Sequence, residues 1–214
     1  PSLPGHLVTV SLDGPMALND PIRGEGVFAK VREAIFARDA NDGTTVMLQM
    51  AVTRENAPGL EDFMAEVADW PINGVAFAFY VPTVNDSSGQ DWPDLRERDE
   101  VLDRVIALKR QYPDIIRSRI ATLELMKSDV AVETTGKHGE NCVLRRDTQP
   151  LYMGTGGQFE TPFCCYGNDV DCSRCGSYEV FNRAYLASQG QDKGARYGRD
   201  GAAGVAAIVE TAAE

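Results

Sequence analysis

The cysteines of this chain are confined to its last third, and they restrict what that part of the chain can form. They are Cys142, Cys164, Cys165, Cys172 and Cys175. The last two form a C-x2-C turn, and the adjacent pair lies shortly before it. Thiolates that tight turns bring together are the ligands of zinc and of iron–sulfur clusters. From Gly136 onward we expect a small module stabilised by a bound metal, because so short a segment buries too little apolar surface to fold alone.

Four thiolates complete a tetrahedral zinc site or a [4Fe–4S] cluster. We predict that the metal ligands are Cys142, Cys164, Cys172 and Cys175. Cys165 is the alternative to Cys164, since successive side chains of extended backbone point apart and the two are not expected to bind one centre. The competing interpretation is that these thiols are buried or exposed without any metal.

The acidic composition of the chain bears on which partners it can bind. The 214 residues carry 32 acids against 21 bases, a net charge of −11, which argues against nucleic acid or an anionic membrane as the main partner. The longest apolar run, from Gly74 to Val81, is strand-sized, so we expect no transmembrane segment. No signal peptide is visible, and we expect a cytoplasmic protein. The chain begins with Pro1 directly before a predicted strand, which is typical of a piece of a longer protein.

The first part of the chain alternates strand and helix signals. Predicted strands cover residues 7–12, 44–52 and 75–81, with amphipathic helices between them. Parallel strands joined by right-handed crossovers are the simplest arrangement of this order. A further helix is predicted with Val101, Leu102, Val105 and Ile106 facing inward, and another beginning at Pro113.

Polar residues follow the predicted strands at the edge where parallel α/β sheets bind ligands. The two-residue period of the first strand places Ser11 and Asp13 on one side of it, where a hydroxyl and a carboxylate suit a ribose or an ammonium group. The alternative for Asp13, which the residue pattern alone favours, is that it only caps the turn. Asn56 follows the second strand as a ligand contact or as a helix cap. Arg23, in the loop after the first strand, is either a surface residue or a contact to a carboxylate or phosphate.

Several catalytic classes lack their signatures. His6 and His138 are the only histidines, and neither accompanies a nucleophile motif, so a triad hydrolase is poorly supported. No G-x-G-x-x-G follows a strand and no P-loop lysine motif is present.

The order of these pieces resembles the second half of the partial (β/α)6 barrel of radical S-adenosylmethionine enzymes. The matching residues are Ser11-Leu12-Asp13-Gly14-Pro15, Asn19-Asp20, Arg23-Gly24, Gly26-Val27-Phe28, the helix from Lys30 to Ile35, and Val52-Thr53-Arg54-Glu55-Asn56. The segment from Cys142 to Tyr178 is similar to the cysteine-bearing extension of hopanoid-biosynthesis radical enzymes, and more loosely to SPASM and twitch extensions. The resemblance implies an α/β fold: a half-barrel of parallel strands over residues 1–135, a cysteine-rich iron–sulfur module over 136–186, and a flexible Gly/Ala-rich tail over 187–214.

The same resemblance implies roles for the candidate residues. Ser11, Asp13, Arg23 and Asn56 would lie near bound S-adenosylmethionine, and the four cysteines would hold an auxiliary [4Fe–4S] cluster, with zinc as the alternative metal. The family's C-x3-C-x2-C loop is missing, since none of the five cysteines has that spacing. We therefore expect a C-terminal portion of a radical enzyme that is inactive by itself.

The expected parent activity is the formation of a 5′-deoxyadenosyl radical that modifies a small-molecule, lipid or peptide substrate. Its expected electron donor is a reductant such as flavodoxin or ferredoxin. One alternative is a non-enzymatic scaffold or binding module stabilised by zinc or a cluster. Another is an ordinary α/β-barrel enzyme with incidental thiols.

Overall fold

The protein is described here by a computed structural model, which describes residues 7–39, 43–147, 151–153, 156–160, 164, 167 and 169–190. The chain divides into two compact units. Unit 1 comprises Pro1–Ala78 and Asp103–Ser118, and unit 2 comprises Phe79–Leu102 and Arg119–Glu214.

A three-stranded parallel sheet organises unit 1. Its strands, β1 (Leu7–Ser11), β2 (Thr45–Val52) and β3 (Gly74–Phe79), lie in the order β1-β2-β3. β1 pairs with β2 from Leu7 opposite Thr45 to Ser11 opposite Gln49. Val75 of β3 also forms an isolated parallel bridge with Ile116, which lies outside the named strands. These strands confirm the predicted α/β class with parallel strands.

Helices connect the strands of unit 1. They are α1 (Met16–Arg23), α2 (Val27–Phe36) and α3 (Leu60–Val67), the last preceded by a short 3₁₀ turn, Ala57–Gly59. Alternate residues of β2 are buried, and Trp70 packs edge-on against Phe28 at 5.6 Å between ring centroids. The buried apolar residues of this unit include Leu12, Phe28, Ile35, Val46, Leu48, Met50, Val52, Leu60, Phe63, Met64, Val67, Val75 and Phe77.

Unit 2 is mostly helical. α4 (Leu95–Gln111) begins in this unit and ends in unit 1. Within unit 2 follow α5 (Ile120–Glu124), α6 (Ser128–Thr135), α7 (Val143–Asp147), the antiparallel pair β4 (Tyr152–Met153) and β5 (Phe159–Glu160), a 3₁₀ turn at Cys172–Arg174, and α8 (Tyr178–Ser188). α8 contacts α5, α6 and α7, and α6 contacts the 3₁₀ turn. Among the described helices, none has the length and apolar character that crossing a membrane requires.

Two expectations about helices differ from the structure. The helix predicted to begin at Pro113 is absent, and the next helix begins only at Ile120. The backbone between them pairs with β3 instead: the N–H of Val75 donates to the carbonyl of Ile115, and the N–H of Arg117 donates to the carbonyl of Val75. α1 occupies the segment after the first strand, where we expected a loop that contains Arg23. The tail predicted over residues 187–214 begins too early, because Ala187 and Ser188 belong to α8. Residues 191–214 lie outside the described residues.

Candidate functional site

Asp13 lies just after β1 and is almost fully buried. Its backbone N–H donates to Asn19 Oδ1 at 2.9 Å. Asp13 Oδ1 accepts the N–H of Ala51 at 3.1 Å, and its Oδ2 pairs with Arg23 Nε at 2.7 Å. Both carboxylate oxygens are therefore engaged by unit 1 itself, and they fix the turn that ends the strand.

Asn56 is fully buried after β2, and its amide is satisfied by its own loop. Oδ1 accepts the N–H of Thr53 at 2.7 Å, and Nδ2 donates to the carbonyl of Ala51 at 2.9 Å. The backbone N–H of Asn56 donates to Thr53 Oγ1. Through Ala51, this loop is joined to Asp13, so the residues predicted after the first two strands do meet at one edge of the sheet.

Arg23 and Ser11, the other two residues predicted at this edge of the sheet, are more exposed than Asp13 and Asn56. Arg23 is the last residue of α1 rather than part of a loop, because the chain is already helical from Met16. β1 ends at the exposed Ser11, so Ser11 and the buried Asp13 do not share one face as the two-residue period predicted.

Asp20 closes the adjoining turn by accepting the N–H groups of Gly26 and Phe28. The hydrogen bond from Phe28 is the main reason why the pKa of Asp20 is lowered.

The four predicted thiol ligands of unit 2 form one cluster, which we call the thiol cluster: Cys142, Cys164, Cys172 and Cys175. All four are half-buried. Every pair among them lies within electrostatic reach. A charge on Cys164 raises the pKa of Cys142, charges on Cys142 and Cys164 raise the pKa of Cys172, and charges on these three raise the pKa of Cys175. Three separate segments of the chain supply these residues, so the fold brings together what the sequence keeps up to 33 positions apart (Cys142 to Cys175). Cys165 and His6 lie outside the described residues, so the choice between Cys164 and Cys165 stays a prediction.

Backbone donors point at two of the thiols. The N–H groups of Arg145 and Leu144 at the start of α7 donate to Cys142 and oppose the rise in its pKa that burial causes. The N–H of Ser177 donates in the same way to Cys175. Part of Cys175 stays accessible, yet desolvation at its sulfur raises the pKa of this thiol to about 12. N–H donors of this kind stabilise thiolates in preference to thiols, as metal-bound sulfur requires.

Cys172 is enclosed by α6 and the turn that follows it. Thr135 Oγ1 donates to the carbonyl of Cys172 at 3.3 Å. Gly139 has φ +75°, and a Cβ there would approach Cys172 Sγ to 2.8 Å, so only glycine fits without displacement. Burial is the main cause that raises the pKa of Cys172, and the positive charge of Arg145 opposes it.

The C-x2-C turn is held from both ends. Asp171 Oδ1 accepts the N–H of Ser173 at 3.1 Å, and Arg174 Nε pairs with Asp91 Oδ2 at 2.6 Å. After Cys175, the carbonyl of Gly176 accepts the N–H of Phe79 at 2.8 Å. A Cβ on Gly176 would come within 2.2 Å of the Tyr80 carbonyl oxygen, so glycine is required for this approach.

Arg98, on α4, has no accessible surface. Its Nη1 donates to the carbonyls of Arg174 at 3.2 Å and Cys175 at 3.1 Å, and its Nη2 donates to the carbonyl of Met126 at 2.7 Å. Burial lowers the pKa of this guanidinium. The C-x2-C turn is thus fixed to α4 through its backbone.

The donor set suits a soft metal ion or an iron–sulfur cluster, because four thiols converge with N–H donors and arginines around them. The spacing is wider than direct ligation: in the described part of the chain, no three His, Cys, Asp or Glu side chains are close enough to hold an ion. Binding would therefore require the thiol cluster to contract. Neutral thiols do not attract one another, whereas a cation draws deprotonated sulfurs together.

An open cleft of about 590 Å³ in unit 2 includes none of the predicted site residues. Its lining residues are Asp94, Arg96, Asp99, Ser128 and Asp129. Asp99 accepts both the backbone N–H and the hydroxyl of Ser128. Its carboxylate thus fixes the start of α6 and is not available to a ligand.

Comparison of the chain with protein-family models, with curated proteins and with solved structures found no match. The functional argument therefore depends on the residues and contacts of this chain.

The residues around the thiol cluster were not predicted from the sequence. Arg98 sits in the charged run Arg96-Glu97-Arg98-Asp99-Glu100, which is typical of a solvated helix face. Gly139 offered a local signal, since glycine marks turns.

The raised pKa of Cys175 predicts a pH dependence of stability in the metal-free chain. The folded state retains a proton that the unfolded chain releases near the ordinary pKa of 9.0. The stability that this thiol contributes is therefore complete below about pH 9 and is lost as the pH rises towards 12. We expect Cys175→Ala to flatten the fall in unfolding free energy across this range, measured by denaturant titration with a reductant and a chelator present. Ser173→Ala, which changes the same turn without removing a titrating group, serves as the control, and parallel curves for the wild type and Cys175→Ala would contradict the assignment.

Proposed function

We propose that unit 2 carries a metal centre on Cys142, Cys164, Cys172 and Cys175, and that a [4Fe–4S] cluster is its first candidate. The observation that carries this proposal is the convergence of four thiols from three separate segments. Four thiolates are the usual complement of such a cluster. Backbone N–H donors at Cys142 and Cys175 support it further, because hydrogen bonds to sulfur stabilise the anionic form that a cluster needs.

We further propose that the chain is a portion of a radical S-adenosylmethionine enzyme, with unit 1 as part of a half-barrel. The parallel sheet and the Asp13–Arg23 pair at its carboxyl edge support this reading. In the parent enzyme, reductive cleavage of S-adenosylmethionine would supply a 5′-deoxyadenosyl radical, with electrons from a donor such as flavodoxin or ferredoxin. Arg23, partly exposed, and the exposed Ser11 are the residues of this edge that a ligand would reach. The substrate of the parent enzyme would be a small molecule, a lipid or a peptide.

A second candidate function is a non-enzymatic scaffold or binding module stabilised by zinc or by a cluster. This candidate is favoured by the contacts of Asp13 and Asn56. Their side-chain oxygens and the Asn56 amide nitrogen form hydrogen bonds or ion pairs within unit 1. In that case the thiol cluster would serve folding alone, as structural zinc does.

Metal loading distinguishes an iron–sulfur centre from a scaffold stabilised by zinc. The full chain, purified without oxygen and reconstituted with iron and sulfide, is expected to bind about four irons with matching acid-labile sulfide and broad visible absorption. Cys172→Ala should lose most of this metal because it removes one of four thiolates, whereas Cys165→Ser should keep it. Iron, sulfide and zinc are measured together on each variant. One zinc without colour would favour the scaffold, and a wild-type chain that binds neither metal would refute the metal centre.

If the chain is only a portion of a radical enzyme, it should not cleave S-adenosylmethionine by itself. The chain offers no C-x3-C-x2-C spacing to hold the cluster that performs the cleavage. We expect no 5′-deoxyadenosine above the level without protein when the reconstituted chain is incubated with S-adenosylmethionine and dithionite, as measured by chromatography and mass spectrometry. Catalytic formation of 5′-deoxyadenosine by the isolated chain would contradict the hypothesis.

A further inference from the structure

Arg98 combines full burial with a charge that no hydrogen-bonded carboxylate balances. It is the largest of the side chains without accessible surface. Charged side chains are almost never fully buried unless they are paired, because removing them from water is costly. The three hydrogen bonds of its guanidinium all go to backbone carbonyls, and Nε has no hydrogen-bond partner.

The acidic side chains that act on Arg98 form their hydrogen bonds with other residues of unit 2, although Asp91 Oδ1 is buried without a hydrogen-bond partner. Asp99, next to Arg98 in sequence, accepts the two hydrogen bonds from Ser128. Asp91 pairs with Arg174. Both carboxylates act on Arg98 only through space, as does Cys175 in its thiolate form. A buried cation held by neutral carbonyls gains most from an anion that forms close to it.

Metal loading would create such an anion at the thiol cluster. Four thiolates outnumber the positive charges of a zinc ion or of an oxidised [4Fe–4S] core, so the loaded site is negative overall. The Arg98 guanidinium is bonded to the backbone of the turn that carries Cys172 and Cys175. It therefore lies where it stabilises that charge while its hydrogen bonds fix the two ligands of the turn.

We propose that Arg98 is the positioning residue of the metal centre: it holds the C-x2-C turn through the carbonyls of Arg174 and Cys175 and balances the negative charge of the bound metal–thiolate group. This inference rests on the proposed metal centre. Reduction makes a cluster more negative, so Arg98 stabilises the reduced form relative to the oxidised form. A neutral residue at this position lowers the reduction potential and weakens retention of the metal.

The test compares Arg98→Gln and Arg98→Lys with the wild-type full chain after reconstitution with iron and sulfide. Two quantities are measured: the reduction potential, by equilibrium titration with mediators, and the rate of metal loss to a chelator. For Arg98→Gln we expect at least a tenfold fall in the reduced-to-oxidised ratio at a fixed potential, which is 59 mV for a one-electron couple. Metal loss should be about 10- to 100-fold faster.

Arg98→Lys separates charge from geometry. An ammonium group retains the positive charge but does not reproduce the planar fork that donates to three carbonyls. We expect this variant to recover most of the potential while it still loses metal faster than the wild type. Arg183→Gln is the matched control: it neutralises an arginine of the same unit that pairs with Glu179 on α8, and both quantities should stay at wild-type values.

The outcomes distinguish this inference from the proposed function. A wild-type chain that binds metal, with Arg98→Gln retaining both the potential and the rate of metal loss, overturns the role of Arg98 alone. A wild-type chain that binds no metal refutes the metal centre and this inference with it. If Arg98→Gln does not fold, the lysine variant decides: wild-type retention of metal there would overturn the positioning role.

Discussion

Three segments of unit 2 meet on one buried guanidinium. Arg98 reaches from α4 to the carbonyl that ends the α5 region, at Met126, and to the two carbonyls of the C-x2-C turn at Arg174 and Cys175. Without these bonds, those carbonyls would lose their partners in the interior, at a cost of about 1–3 kcal/mol for each buried polar group. The same residue that secures the backbone of the turn also places a positive charge beside sulfurs that a metal would ionise. The backbone of the C-x2-C turn therefore depends on this one side chain.

The strands of unit 1 were predictable because each signal was local. Apolar, β-branched runs separated by turn residues gave β1, β2 and β3, and Val101, Leu102, Val105 and Ile106 are buried on α4 as predicted. The failures occurred where long-range pairing overrides local preference. Ile116, Ile120 and Leu123 have the spacing of one helix face, but the backbone on either side of Ile116 forms hydrogen bonds with Val75 of β3. α8 was hidden by its place after the cysteines, where composition favoured a loop, although Val180, Phe181 and Ala184 form its buried face.

The sequence proposes the donors of the candidate site but says nothing of their surroundings. Cysteine type and spacing predict metal ligation by themselves, and the four chosen thiols lie within electrostatic reach of one another, although no three ligand side chains in the described part of the chain are close enough to hold an ion. The supports come from elsewhere in the chain: Arg98 lies 77 positions before Cys175, and nothing local distinguishes it from the charged neighbours that face solvent. The burial of Asp13 and Asn56 follows the same logic, since whether a polar side chain binds a ligand or its own loop depends on backbone groups that a residue pattern does not reveal.

The claim that thiols from separate segments share one centre is tested most directly by alkylation of the full chain, loaded and metal-free, with each cysteine quantified by mass spectrometry. Shared ligation predicts that Cys142, Cys164 and Cys172 are protected together in the loaded chain and become reactive together when the metal is removed. Cys175, whose pKa is about 12 in the metal-free fold, should react only on unfolding. Equal reactivity of Cys142, Cys164 and Cys172 with and without metal would contradict a common centre.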